Sequence, residues 1–250
     1  MFQVRIHGRG GQGVVTGAEM LSIAAFEGGR HAQAFPSFGS ERTGAPVVAF
    51  CRMDDKEIRL REPIMEPDAL IIQDPTLLHQ VDVFSGLRPD GYILINTTKT
   101  FEQLGLGEFA KGFNPDHLLT VPATELAMKH VGRPVPNVPL LGAFAALGGL
   151  ISLEAVHKAI QQKFHGKVAQ GNMDAASEAY AIVMEQEGLA GAAAAQGRPK
   201  QGTDPLGGSA VRAATNVGAS FTAGPPQGET TPLGGSAVRA ATNVGANNHA

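Results

Sequence analysis

Val4-Arg5-Ile6-His7-Gly8-Arg9-Gly10-Gly11-Gln12-Gly13-Val14-Val15-Thr16 is the stretch whose reading decides the fold. Val4 and Ile6 are β-branched and alternate with polar residues, as a strand allows. Gly8, Gly10 and Gly13 stand at the spacing G-x-G-x-x-G, so the strand runs into a glycine turn and then into a helix. The helix, expected from Gln12 to about Glu27, puts Val15, Met20, Leu21, Ala24 and Ala25 near one face, which can lie on a sheet. A turn of this kind lets backbone pass close to a phosphate, with N–H groups at the helix N-terminus facing it. The same spacing also serves a tight turn that binds nothing. Gly8, Gly10, Gly11, Gln12 and Gly13 are candidate contacts for a phosphate-bearing ligand on the first reading and packing residues on the second.

A nicotinamide dinucleotide fits this turn poorly. Such sites want an acidic residue at the end of the second strand, where it holds a ribose hydroxyl. Read as the second strand, His31 to Phe35 ends in Pro36 and Ser37, and Glu41 falls later, in a polar loop.

Composition narrows the classes. About 190 of the 250 residues carry the apolar content of a folded domain, enough for one well-buried core. A net charge of −3 with no basic stripe argues against general nucleic-acid binding. No apolar run is long enough to span a bilayer, and no basic-then-apolar leader precedes the first strand, so a cytoplasmic protein is expected. The single cysteine, Cys51, allows neither an internal disulfide nor a four-thiolate iron–sulfur cluster on this chain alone. It lies in the apolar run Val47 to Arg52, where a buried, inert thiol is expected. The eight histidines show no ligand-pair spacing, so no metal site is expected.

Further along, Phe35-Pro36-Ser37-Phe38-Gly39-Ser40-Glu41-Arg42-Thr43-Gly44-Ala45-Pro46 mixes aromatics, prolines and glycines around a polar centre. That composition makes a loop. It is either a surface loop pinned by Phe35 and Phe38, or a partner- or ligand-facing loop using Ser40, Glu41, Arg42 and Thr43. Pro46 to Met53 and Glu57 to Leu60, joined by an acidic turn, read as an antiparallel hairpin with Arg59 and Arg61 on one solvated face. Asp68 to Asp74, Gly91 to Asn96 and Leu118 to Pro122 read as buried strands of a parallel sheet, with a short helix from Thr76 to Ser85 between the first two. Thr124 to Val131, Leu153 to Phe164 after the N-cap Ser152, and Lys167 to Gln186 read as helices. Leu140 to Leu150, apolar on most sides, is expected to be buried or to pack on another chain, with Asn137 before it as a cap or loop support.

Alternating strands and helices give an α/β fold: a three-layer open mixed, mostly parallel sheet with helices on both faces. Ligands of such sheets sit beyond the carboxyl ends of the strands, where Gly8–Gly13, Asp74 and Asn96 to Thr98 would gather. The domain is expected to end at Glu187. Residues 188–250 are Ala-, Gly-, Ser- and Pro-rich, a composition that favours a disordered tail. Within it, segment 203–219 recurs as 230–246 from Pro205 and Pro232 onward. This is either a duplication in a solvated tail or a tandem docking peptide.

Four motifs taken together resemble a known family. Gly8-Arg9-Gly10-Gly11-Gln12-Gly13-Val14, Phe35 to Pro46, Gln73-Asp74 and Asn137-Val138-Pro139-Leu140-Leu141-Gly142 occur in the order found in gamma subunits of pyruvate:ferredoxin oxidoreductase, within the 2-oxoacid:acceptor oxidoreductases. The resemblance runs from Met1 to about Glu187 and says nothing of the tail. It implies a subunit that is inactive alone and works with alpha, beta and delta subunits and, through the complex, with ferredoxin. The reaction implied is pyruvate, coenzyme A and oxidised ferredoxin to acetyl-CoA, CO₂ and reduced ferredoxin, or its reverse. Thiamine diphosphate, Mg²⁺ and [4Fe–4S] clusters would belong to the partner chains, none to this chain alone. Neither nucleic acid nor membrane is implied. With the resemblance, Gly8, Gly10, Gly11, Gln12 and Gly13 become candidate contacts for coenzyme A or its phosphate, and Ser40, Glu41, Arg42, Thr43 and Asn137 become candidate interface or loop-positioning residues. A gamma subunit for another 2-oxoacid (2-oxoisovalerate or 2-oxoglutarate) and a stand-alone nucleotide-binding reductase are the alternatives.

Overall fold

Strand β1 (Phe2–Arg9) lies inside a six-stranded sheet and carries the glycine turn at its C-terminal end. The computed structural model describes residues 1–37, 43–147 and 149–194, so Ser40, Glu41, Arg42 and the duplicated tail lie outside the described residues. The described residues all belong to the unit Met1–Gly208. Helix α1 (Val14–Glu27) follows the turn, then β2 (His31–Pro36), β3 (Pro46–Asp54), β4 (Ala69–Ile72), β5 (Tyr92–Asn96) and β6 (Leu118–Val121). A short α2 (Gly107–Ala110) precedes β6; α3 (Ala123–Val131), α4 (Asn137–Ala146), α5 (Leu153–Lys163) and α6 (Gly166–Ala194) close the fold.

The sheet order is β2-β3-β1-β4-β5-β6. β1, β4, β5 and β6 are parallel, and β3 runs antiparallel to both of its neighbours. This is the expected mixed, mostly parallel α/β sheet. Its two faces are covered unequally. One face packs the main core, with Val4, Ile6, Cys51, Ile71 and Leu94 against α1, α4, α5 and α6. The other holds a smaller cluster, in which Ile72, Ile93 and Ile95 meet Leu77, Val83 and Phe101 from short turns. Cys51 is buried in the first core, and burial raises its thiol pKa far out of the reactive range.

Three local expectations are corrected. Glu57–Leu60 is not a strand, and no 46–60 hairpin forms. β3 has both edges occupied, by β1 and β2, so no ladder position remains for a hairpin partner. The carbonyls of Leu60 and Glu62 instead accept from the buried guanidinium of Arg52, at 3.5 and 2.7 Å. Arg59 and Arg61 are exposed, and Arg59 pairs with Glu57 at 3.0 Å. Second, β2 is an edge strand antiparallel to β3 and does not touch β1; the parallel neighbour of β1 is β4, which leads into Gln73 and Asp74. The strand end beside the glycine turn is therefore that of β4, and a carboxylate, Asp74, stands just past it. Third, the helix expected over Thr76–Ser85 is a 3₁₀ turn, Pro75–His79, whose N-terminus the Asp74 side chain caps through Thr76 N.

Helix α4 is buried along its whole length, between the sheet and α6, so the apolar stretch is covered by this chain's own elements. Ser152 caps α5 as expected, accepting from Ala155 N at 3.0 Å. Helix α6 continues past Glu187 to Ala194.

Candidate functional site

The glycine turn is built so that each glycine answers a different steric demand. Gly8 is still in the strand, and a Cβ there would come within 2.6 Å of Val14 Cγ2, so Gly8 lets α1 pack onto β1. Gly11 and Gly13 sit at φ 97° and 72°, in the left-handed region that side chains disfavour. Gly13 is the residue from which α1 departs, so the first turn of the helix begins at the strand edge.

The amides of the turn divide into used and open groups. Gly10 N donates to Ala45 O at 2.9 Å, and Gly44 N donates back to Gly10 O at 3.0 Å, in a bridge that also pairs Gly10 with Thr43. Gln12 N donates to Arg9 O at 3.0 Å. Gly10 and Gln12 thus have no amide left for a ligand. The N–H groups of Gly11, Gly13, Val14, Val15 and Thr16 have no backbone acceptor among the described residues, and the first turn of α1 carries no acidic side chain. The helix dipole adds partial positive charge at that point.

Two hollows meet at Gly11, Gly13 and Thr16. The larger, about 400 Å³, is walled by Val131, Val135, Phe164 and Val168, with Arg133, Asn137 and Asn172 as polar groups. Arg133 is exposed and has no ion-pair partner among the described residues. The smaller, about 290 Å³, lies on the β3 side, lined by Arg9, Gly10, Val14, Val15 and Val47 as well. Among the described residues, no carboxylate, histidine or thiol lines either hollow. The site offers hydrogen-bond donors, positive charge and apolar wall, which is binding chemistry and not proton-transfer chemistry.

Asn137, buried at the start of α4, donates from Nδ2 to Gly13 O at 3.2 Å and accepts from Val138 N at 2.9 Å. It supports the glycine turn itself. Asn96 reaches Gln73 O and Thr124 Oγ1, each at 2.8 Å, and accepts from Thr124 N at 3.0 Å; it stitches β5 to β4 and α3 and faces no ligand. Thr43 is exposed beside Gly10.

Two features escaped the sequence reading. Arg133, Phe164, Val168 and Asn172 come from three separated segments, and nothing in their local spacing announces that they converge. Arg9 and Asp74 form an ion pair, Nε to Oδ2 at 3.0 Å, within a larger network. Burial alone would raise the Asp74 pKa. Hydrogen bonds from Thr76 and Gln12, with the charge of Arg9, outweigh burial and hold it below the usual carboxylate value. Both residues lay inside quoted motifs, so the signal was present in Arg9-Gly10 and Gln73-Asp74. Because its acceptors are already engaged by Arg9, Gln12 and Thr76, Asp74 is a poor ribose ligand. Among the described residues no cluster of histidine, cysteine, aspartate or glutamate has the arrangement of a metal site, and no helix is long and apolar enough to cross a membrane.

Comparison with known proteins points in one direction. The family model described as pyruvate ferredoxin/flavodoxin oxidoreductase matches residues 3–182. Pyruvate synthase subunit PorC of Methanothermobacter marburgensis is 47% identical over 180 residues, covering 72% of this chain and 96% of its own. The pyruvate/ketoisovalerate oxidoreductases common subunit gamma of Thermococcus kodakarensis is also 47% identical, with the same coverage of both chains. The crystal structure of pyruvate oxidoreductase subunit PORC from Thermotoga maritima superposes with a TM-score of 0.61 at 37% identity, covering 72% of this chain and 94% of that one.

Proposed function

The chain belongs to the pyruvate ferredoxin/flavodoxin oxidoreductase family, as a gamma subunit of a pyruvate oxidoreductase, and on that footing we propose that it forms part of the coenzyme A site of the assembled enzyme. The open amides of Gly11, Gly13 and the first turn of α1 would receive a phosphate group, with Arg133 as a second cationic contact. The apolar wall of Val131, Val135, Phe164 and Val168 would take a less polar part of the same molecule. A hollow of about 400 Å³ suits a portion of such a cofactor, leaving the rest to neighbouring chains.

The observation that carries this reading is the pairing of first-turn amides with an arginine, neither of which has a partner among the described residues. Oriented amides at a helix start favour an anion, and the nearby arginine adds charge without a desolvated counter-charge to displace. The partner chains, alpha, beta and delta, would hold thiamine diphosphate, Mg²⁺ and the [4Fe–4S] clusters. Those groups supply decarboxylation and electron transfer to ferredoxin when bound. With a single cysteine, this chain has no residues to hold a cluster by itself. Its own residues bind and orient, and alone it would turn nothing over. A cytoplasmic location fits the same reading. The choice of 2-oxoacid would rest with the partner chains, a view favoured by a relative whose name assigns one gamma subunit to both pyruvate and ketoisovalerate oxidoreductases. Arg42, Glu41, Ser40 and Thr43 remain proposed interface residues.

The test is Gly11→Val in the assembled complex. Among the described residues nothing lies within 4 Å of a Cβ at Gly11, so the side chain would project into the ligand's space, although φ 97° strains it. The KM for coenzyme A is expected to rise about tenfold, equivalent to ~1.4 kcal/mol of lost binding, with the KM for pyruvate far less affected. An unchanged KM for coenzyme A in an intact complex discards this role.

A further inference from the structure

Arg9 ends β1 and turns sideways along the sheet edge, where its guanidinium reaches two separate segments, Gly44 and the turn from Asp74 to Gln80. Nε donates to Asp74 Oδ2 at 3.0 Å, Nη1 to Gly44 O at 3.0 Å, and Nη2 to Thr76 Oγ1 at 2.7 Å and Gln80 Oε1 at 2.8 Å. Its backbone N–H donates to Gln12 Oε1 at 2.8 Å, and Gln12 Nε2 donates to the same Asp74 oxygen at 3.0 Å. One residue later, Gly10 exchanges two backbone hydrogen bonds with Gly44 and Ala45.

We propose that Arg9 is a positioning residue, locking the glycine turn to the Gly44–Ala45 segment and to the end of β4 so that the open amides of Gly11 and Gly13 keep one geometry. The proposal rests on the reading that this turn contacts coenzyme A. It assigns different work to the two arginines beside the turn. Arg133 has no ion-pair partner among the described residues to give up, and serves as charge. Arg9 has its donors committed to protein acceptors, so its fork shape matters and its charge is neutralised locally by Asp74. A lysine in its place could pair with Asp74 but could not also span Gly44, Thr76 and Gln80.

The experiment is kinetic, on the assembled complex with subunit composition checked, using Arg9→Lys, Arg9→Met, Gly11→Val and the Arg9→Met/Gly11→Val double variant. Both Arg9 variants are expected to raise the KM for coenzyme A about fivefold, with lysine giving little rescue. The steepness of that KM with salt should stay as in the parent, because no ligand-facing charge is lost. In the double variant the KM should not exceed that of Gly11→Val by the full factor Arg9→Met shows alone, since both changes act through one turn. Full rescue by lysine, a parental KM in Arg9→Met, a flattened salt dependence or multiplying effects would each overturn the proposal. If Gly11→Val leaves the KM untouched, the coenzyme A reading fails by itself, and amide exchange then judges the lock. Faster exchange at Gly10 and Gly44 together in Arg9→Met supports it, and parental exchange at either overturns it.

Discussion

His7 precedes the glycine turn by one residue and is nearly sealed from solvent, with its Nε2 lacking a hydrogen-bond partner among the described residues. Burial, and then the positive charge of Arg5 two residues earlier on the same face, push its pKa from 6.5 down to about 3. Arg5 stays charged while its Nη2 donates to Val83 O and Ser85 O at 2.9 and 2.6 Å. The sign of the pH effect follows. Between pH 6.5 and about 3 the unfolded chain protonates this histidine and the folded chain does not, so stability falls as pH falls through that window. The slope from this one group is at most ~1.4 kcal/mol per pH unit. Replacing it, His7→Leu, is expected to flatten the pH dependence of urea unfolding between pH 6.5 and 4.5; an unaltered slope would mean His7 is protonated in the fold. None of this was readable in the chain. A histidine alternating with Val4 and Ile6 shows that it shares a face with Arg5, but not that turns 81–85 cover that face.

Among the elements, α4 and α6 make the tightest meeting. Gly142 of α4 lies directly against the backbone of Ala176 in α6, and a Cβ there would collide with the Ala176 carbonyl and Cα. Gly142→Ala therefore cannot be absorbed by a side-chain swing. It is expected to destabilise the fold by roughly 1–3 kcal/mol, as overpacked cores do, measurable by thermal or denaturant unfolding. A neutral effect would mean the two helices can slide apart at no cost. Elements like α4, β4 and β5 were legible because their burial is written into continuous apolar runs. The stretch after β3 was not. Strand-like alternation at Glu57–Leu60 looked like a hairpin, and only the topology shows that β3 already has two neighbours. Alternation reports which side of a strand faces the core and does not report whether a partner edge is free. The same gap hid β2, whose place at the sheet edge is set by its pairing with β3 and not by its position after α1.

At the scale of the whole molecule, the described residues gather open amides and an apolar wall at one sheet edge. The glycine turn, Asp74 and Asn137 were visible in the sequence as motifs, and the structure brings them together. The walls of the larger hollow were not visible, because Arg133, Phe164 and Asn172 meet only through the packing of α3, α5 and α6 around α4. The surface offers donors and apolar wall but no acid, base or thiol. That surface suits the proposed role, in which partner chains would carry the reacting groups. The direct test is the rate at which the purified chain alone, given pyruvate, coenzyme A and an artificial electron acceptor, forms acetyl-CoA, measured beside the assembled complex. The expected result is turnover by the complex and none above buffer by the chain. Acetyl-CoA formed by the chain alone, free of its partners, would contradict the account.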